Sequence, residues 1–304
     1  ADIYTEMEDY TAALRDFDKT IELAPENPYY YNNRGDFYED QEKYDEALMD
    51  FAKAIEISKD DYQTARAINA RANIYWIYQK WDLCIEEYTK AIAISPGSWH
   101  FLNRGRIYQK LKDYDNAIID LTKAIELDGG EDPDYYEYRS DIYIEMEDYT
   151  AALRDLDKTI ELAPENPYYY NNRADFHKEQ ERYDAALIDY DYILQHLSLS
   201  SNESNMYCER AMLYVLIEDY DNANKDFKKA IELDPNNNTP YFYRAKMYHK
   251  QEEYGNEKQD YLKTIEMDSE DPEGYYYLAL LYVKQNKVLH ALSYLDKAIV
   301  KLLI

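Results

Sequence analysis

The chain has 304 residues, a net charge of −28, 46% hydrophobic residues, 37 tyrosines and only 7 glycines. That hydrophobic content excludes a disordered acidic tail, and so little glycine argues against turn-rich all-β folds. The acidity argues against nucleic acid, whose phosphates demand clustered Lys and Arg, and against docking on anionic membranes; a basic or neutral protein partner is compatible with it.

Length alone suits about two domains of ~150 residues, but the chain is repetitive and the repetition overrides that count. The first predicted helix carries Tyr10, Ala13, Phe17 and Thr20. Offsets of 3, 7 and 10 fall on one helical face. The next predicted helix shows a large–small–large face, Tyr31, Gly35 and Tyr38, and Tyr44, Ala47, Phe51 and Ala54 then repeat the first pattern. Ile68, Ala72 and Tyr75 precede Trp81, Cys84, Tyr88 and Ala91; Phe101, Gly105 and Tyr108 precede Tyr114, Ala117, Leu121 and Ala124. Tyr136, Ser140 and Tyr143 lead to Tyr149, Ala152, Leu156 and Thr159; Tyr170, Ala174 and His177 lead to Tyr183, Ala186, Tyr190 and Ile193. Tyr207, Ala211 and Tyr214 come before Tyr220, Ala223, Phe227 and Ala230. Tyr241, Ala245 and Tyr248 come before Tyr254, Glu257, Tyr261 and Thr264, and Tyr275, Ala279 and Tyr282 before Val288, Ala291, Leu295 and Ala298. The leading residues recur at steps of 34, 37, 33, 35, 34, 37, 34 and 34. Small residues let two helices approach closely while the rings fill the space beside them. All nine prolines fall between these faces. Pro28, Pro133, Pro167 and Pro272 suit a first helical turn, where the missing N–H costs nothing.

Segments such as YDEALMDFAKAIEI (44–57) and YDNANKDFKKAIELDP (220–235) make the pattern similar to the tetratricopeptide repeat, a helix–turn–helix unit of about 34 residues. The resemblance spans essentially the whole chain. It implies an all-α, right-handed α-solenoid superhelix of about nine units, one domain over 1–304, with repeats near 1–27 (truncated), 28–64, 65–97, 98–132, 133–166, 167–203, 204–237, 238–271 and 272–304. Residues 1–50 match 140–189 at 40 of 50 positions. The array therefore reads as two modules of four repeats plus one. Both 37-residue steps fall at the same place in their modules, and predict longer connections at 57–65 and 196–205. Glu257, Val288 and His177 depart from the pattern and suggest looser packing in the last repeats.

Most tyrosines fall in the ring columns and are expected to be core. An Arg recurs in the first helices (Arg34, Arg71, Arg104, Arg139, Arg173, Arg210, Arg244) and an acid in the second (Asp50, Glu87, Asp120, Asp155, Asp189, Asp226, Asp260). The ninth repeat loses both together, to Leu278 and Tyr294. An Arg–carboxylate pair inside each of repeats two to eight is expected. Such pairs set register and orientation more than net stability.

The resemblance further implies that first helices line a concave groove where ligands lie. Helical phase then selects a stripe: Tyr29, Asn32, Asn33 and Asp36; Asn69 and Asn73; Trp99, Asn103 and Arg106; and Tyr168, Asn171, Asn172 and Asp175. Asn can both donate to and accept from a peptide backbone, and Tyr and Trp offer flat apolar surface at low entropy cost. The Lys residues with which some members hold a chaperone's C-terminal carboxylate are missing from the first helices, and Asp36 and Asp175 stand in the groove. An acidic groove prefers a peptide with Lys or Arg.

Catalytic signatures are not found: no Gly-rich phosphate loop, no His-Glu-x-x-His, no Gly-x-Ser-x-Gly. The five histidines are scattered singly, and 128–134 (DGGEDPD) lacks the calcium-loop spacing and reads as a helix terminator. Cys84 and Cys208 are too far apart in sequence for a disulfide framework or metal spacing, which favours a reducing, cytoplasmic setting. No signal peptide or membrane-spanning run is found. The chain opens at Ala1 without Met, inside a predicted helix, and reads as a piece of something longer. The expected function is a non-enzymatic scaffold with no cofactor or metal. Its groove holds a basic peptide or partner segment and binds neither nucleic acid nor membrane. Two alternatives stand beside it: self-assembly as a homo-oligomer through uncapped ends, and a regulatory arm of a larger protein.

Overall fold

In a computed structural model the described residues are 10–196 and 203–303, and they form 17 helices and no strand. The chain divides into two compact units, 1–162 and 163–304. Unit 1 contains α1 (Tyr10–Leu23) and four hairpins: α2 (Pro28–Asp40) with α3 (Tyr44–Ile57), α4 (Asp61–Ile77) with α5 (Trp81–Ile94), α6 (Ser98–Lys110) with α7 (Tyr114–Asp128), and α8 (Pro133–Glu145) with α9 (Tyr149–Leu162). Unit 2 contains four more: α10 (Pro167–Glu179) with α11 (Tyr183–His196), α12 (Glu203–Leu216) with α13 (Tyr220–Leu233), α14 (Thr239–Lys250) with α15 (Tyr254–Met267), and α16 (Pro272–Lys284) with α17 (Val288–Leu302). Within each unit the second helix of one hairpin packs on the first helix of the next. This is an all-α solenoid of repeats.

Local signals in the sequence set the helix ends. Asn27, Asp60, Asp132, Asn166 and Asp271 each accept a backbone N–H two residues on and so cap a first helix. Every hairpin turn then puts one residue in the left-handed region: Glu42, Gln79, Lys112, Glu147, Glu181, Glu218, Glu252 and Asn286, with φ from 55 to 63°. The following N–H returns to the carbonyl five residues back, as in Lys43 to Tyr38 (2.8 Å), Asp148 to Tyr143 (2.9 Å) and Asp219 to Tyr214 (2.8 Å). This closes the first helix in the same way each time. At 128–134, Gly129 and Gly130 adopt φ of 82° and 75°, and the Gly130 N–H bonds the Ile125 carbonyl. The segment is a helix terminator.

The small-residue column is shut from solvent, with Ala13, Ala47, Cys84, Ala117, Ala152, Ala186 and Ala223 all at 0% exposure. One turn on, along the same face, are the fully buried Phe51, Tyr88, Leu121, Tyr190, Phe227 and Tyr261. Gly35 is needed for the closest approach: a Cβ there would lie 2.6 Å from the Phe51 ring.

The structure corrects the sequence reading at two points and leaves a third outside the described residues. Residues 61–65 are not a connection. They wind into α4, which at 17 residues absorbs the extra length of its repeat. The second long connection, 196–205, falls largely outside the described residues. The tyrosine columns also divide. The rings that open the second helices sit at the margin, Tyr10 and Tyr149 being exposed and Tyr44, Tyr114 and Tyr220 partly so, while Phe37, Tyr135, Tyr169 and Phe176, outside the columns, are buried. The final helix leaves Val288, Leu289, Leu292, Ile299, Leu302 and Leu303 open to solvent.

Candidate functional site

The recurring Arg and acid meet in all seven predicted hairpins, with N···O distances of 2.5–3.1 Å. In six of them Nε and Nη2 take the two carboxylate oxygens in a fork; Arg71 puts both nitrogens on one Glu87 oxygen, and Lys90 takes the other. The acids are almost completely buried. In four of the seven the guanidinium also lies over first-helix rings three residues before and four after it. Arg34 covers Tyr31 and Tyr38, Arg104 covers Phe101 and Tyr108, Arg210 covers Tyr207 and Tyr214, and Arg244 covers Tyr241 and Tyr248, at 5.4–6.0 Å. Hydrogen bonding to its acid raises the Arg34 pKa still further. These arginines are locked in the hairpin and form no anion site. In the last hairpin Leu278 and a stack of Tyr282 on Tyr294 (5.6 Å) replace them.

Successive first helices touch one another, α2 with α4, α6 with α8 and α12 with α14. In unit 1 this brings several candidate residues together. Arg66 of α4 reaches α2, where it pairs with Asp36 and donates to Asn33 Oδ1 at 3.1 Å. Asn69 Nδ2 lies 2.9 Å from His100 Nε2, and Tyr88 Oη donates to Asn73 at 3.2 Å. Trp99 packs edge-on against Tyr88 (5.9 Å), and Asn103 returns its amide to the Trp99 carbonyl. Arg106 lies over Trp76 (5.5 Å) and Tyr138 (5.1 Å). Asp36, Asn69 and Asn73 line one cavity of about 640 Å³ with Glu39, Arg66 and His100.

Two candidates do not join this group. Asn32 is fully buried, with its Nδ2 bonded to the Gln63 carbonyl and Oε1, so it braces α2 against α4 and offers a partner nothing. Tyr29 is exposed but lines a separate cleft with Lys59 and Asp60. In unit 2, Tyr168 is exposed, Asn171 donates to Asp175 (3.0 Å) and accepts from Tyr190 (3.3 Å), and Asn172 is half-buried. Asp175 also holds Lys178, which reaches Glu209 of α12. The duplicated Asp thus has different cations in its two copies.

Sequence reasoning missed the most perturbed carboxyls. Burial, then Asp36 and Asp40, push Glu39 up to about 7. Asp141 is raised to about 6, first by loss of solvation and then by Glu137 and Glu145. Glu137 and Asp141 stand one and five residues after Tyr136, as Asn32 and Asp36 do after Tyr31, so their register was visible in the sequence. Gln63 belongs to the unpredicted first turn of α4, and Arg66, just inside the predicted repeat, had no recurring signal. Cys84 and Cys208 are buried free thiols, and burial pushes them up to about 11 and about 12, away from reactivity. Among the described residues no cluster of three or more His, Cys, Asp or Glu could hold a metal, and no helix is long and apolar enough to cross a membrane.

Tetratricopeptide repeat models match residues 1–27, 26–96, 100–130 and 139–198, and a TPR repeat model matches 212–252. No sequence match is found among curated proteins. Among solved structures, the C-terminal part of a TPR repeat-containing protein from Cytophaga hutchinsonii is similar, with a TM-score of 0.60 at 19% identity over 76% of this chain and 98% of that one. A tetratricopeptide repeat protein from Parabacteroides merdae gives 0.54 at 17% identity over 87% and 98%. At such identities the likeness concerns the fold, and it agrees with the sequence matches. The chain belongs to the tetratricopeptide repeat family, whose members generally act as protein–protein interaction scaffolds rather than as catalysts.

Proposed function

We propose that the first helices of unit 1 hold a basic segment of a protein partner, and that the chain acts without chemistry of its own. One observation carries this reading. Carboxyls at Glu39 and Asp141 are raised because protein crowds them and further acids surround them. A Lys- or Arg-bearing segment supplies the missing charge and relieves both. Trp99, Asn103, Asn73 and Asn33 supply contact area and peptide hydrogen bonds beside it; Tyr168, Asn171, Asn172 and Asp175 are the corresponding candidates in unit 2. The test is titration with a capped Lys/Arg-rich peptide and with an Asp/Glu-rich peptide of equal length. The basic peptide is expected to bind, and to bind several-fold more weakly at high salt because the exposed charges are screened. Equal affinity for both peptides, or a salt-independent affinity, overturns the reading.

A second reading, self-association through the last hairpin, is favoured by the bare side chains of α17. Leu292 and Leu295 line an apolar cleft of about 330 Å³ with Tyr276, Leu280 and Val283.

A further inference from the structure

We propose that two copies of this chain pair through the outer face of α17, each copy's α17 against the other's about a two-fold axis, and that the pairing closes as a dimer. The proposal rests on the self-association reading above and adds the surface of the second copy and the stoichiometry.

The face is wider than a neighbouring repeat requires. α17 exposes seven large apolar side chains and its C-cap Leu303 an eighth, whereas no other second helix among the described residues exposes more than two. At 3.6 residues per turn the eight fall within an arc of about 160°. Part of that arc is the stripe that second helices turn toward the next first helix: Leu292 and Ile299 stand where α3 has the partly buried Leu48 and Ile55. The rest of it is not. Leu289 and Val300 stand where α3 has Asp45 and Glu56, α7 has Asp115 and Glu126, and α13 has Asp221 and Glu232. Those acids are exposed although a first helix packs on each of the three helices. A further hairpin stacked on α17 would cover Leu292 and Ile299 and leave Leu289, at 82% exposure, and Val300 in water. Covering the whole arc takes a broader apolar surface.

A second copy has that surface. Among the described residues the other exposed apolar side chains are scattered over many helices, so the face that matches the arc in width and polarity is α17 itself. Charge selects the same contact. Each copy carries −28, and two such chains repel wherever acids meet. On α17 the acids have been withdrawn. Other second helices carry an exposed Lys–Glu pair, such as Lys53 with Glu56 at 3.0 Å and Lys123 with Glu126 at 2.8 Å. Its Lys survives here as Lys297, but Val300 replaces the Glu, and the ammonium lies over the Tyr294 ring at 4.9 Å. Residues 272–304 hold four Lys against Glu273 and Asp296, and Asp296 is the one charged residue inside the arc. A standard interface takes about 800 Å² from each partner, which the eleven large apolar side chains exposed by the last hairpin, at 38–82%, can supply. A face that meets its own copy is self-complementary and closes at two.

The experiment is sedimentation velocity on wild type, on Leu289→Asp/Val300→Glu, which gives α17 the acids of the other second helices at two exposed sites, and on Asp296→Asn. Wild type is expected to reach a dimer and nothing larger, and to dimerise more tightly in high than in low sodium chloride, because salt screens the repulsion between copies. The double variant is expected to weaken the dimer by about a hundredfold, since four new acids face one another, with its circular dichroism unchanged. Asp296→Asn is expected to tighten the dimer several-fold, an effect that no folding defect produces. Labelled wild type in an excess of the double variant is expected to stay monomeric, because both halves of a two-fold contact need the apolar face. Species larger than a dimer, a double variant that dimerises or captures wild type as well as wild type does, an Asp296→Asn dimer no tighter, or an affinity that falls with salt overturns the two-fold contact. If Leu292→Glu abolishes the association in that case, the self-association reading survives alone; if it does not, or if wild type is monomeric throughout, both fail.

Discussion

In four hairpins, those of Arg34, Arg104, Arg210 and Arg244, the arginine carries two structural duties at one position. Its fork fixes the buried acid of the second helix, and its flat face separates two rings of the first. Removing one partner of such a pair leaves a buried charge uncompensated, a penalty of about 3–5 kcal/mol. Arg139 and Asp155 meet at 2.7 and 2.9 Å. Arg139→Met is therefore expected to lower unfolding stability by about that amount in urea titration, and Asp155→Leu added to it is expected to recover most of the loss. A double variant no more stable than the single would show that the ring contacts, not the ion pair, dominate. The pairing was legible in the sequence because arginine and acid recur sixteen residues apart and vanish together in the ninth repeat. The ring contacts were not, because a column of tyrosines looks like core whether or not a cation lies across it.

At the level of the element, most of the design was readable. Periodicity located the helices, and prolines and Asx caps located their starts. The start of α4 was not readable, since Asp60 caps four residues ahead of the expected boundary. Nor were the left-handed turns, which in this chain use Glu, Gln, Lys and Asn where glycine is commoner. Glu257 is the clearest local conflict. It occupies a small-residue site between α14 and α15, is 1% exposed, and has Oε1 2.9 Å from His249 Nδ1 while Oε2 is buried without a partner. Burial raises its pKa above the ordinary value of 4.5, opposed by His249 and Lys284. A carboxyl raised on folding supports the native state below its unfolded pKa, and that support is lost as pH rises through the folded value. Glu257→Ala restores the residue found at this site in most other hairpins. It is expected to stabilise the protein at pH 7 by about 1–3 kcal/mol, the cost of an unsatisfied buried polar group, and by less at pH 4. Thermal melts at the two pH values measure this, and a variant less stable at pH 7 contradicts it.

For the whole molecule, stability in a repeat array is a sum of hairpin terms and neighbour terms, and an end without a polar outer face invites company. The last hairpin is unlike the rest in this respect. Leu292 and Ile299 of α17 are open to water at 52% and 46%, whereas the second helices α3, α5, α7, α11, α13 and α15 each pack against a following first helix of the same unit. Sedimentation at rising concentration is expected to show reversible association that Leu292→Glu abolishes; a monomer at every concentration removes the self-association reading. The acidic stripe was legible in its polarity but not in its use, since backbone phase cannot say that Asn32 turns inward or that Arg66 crosses from the next hairpin. The near-copy of residues 1–50 at 140–189 has a genetic corollary. A misaligned exchange between the two DNA stretches would splice one helix onto its twin at the same phase, so this lineage can lengthen or shorten itself four hairpins at a time without interrupting a single turn of backbone.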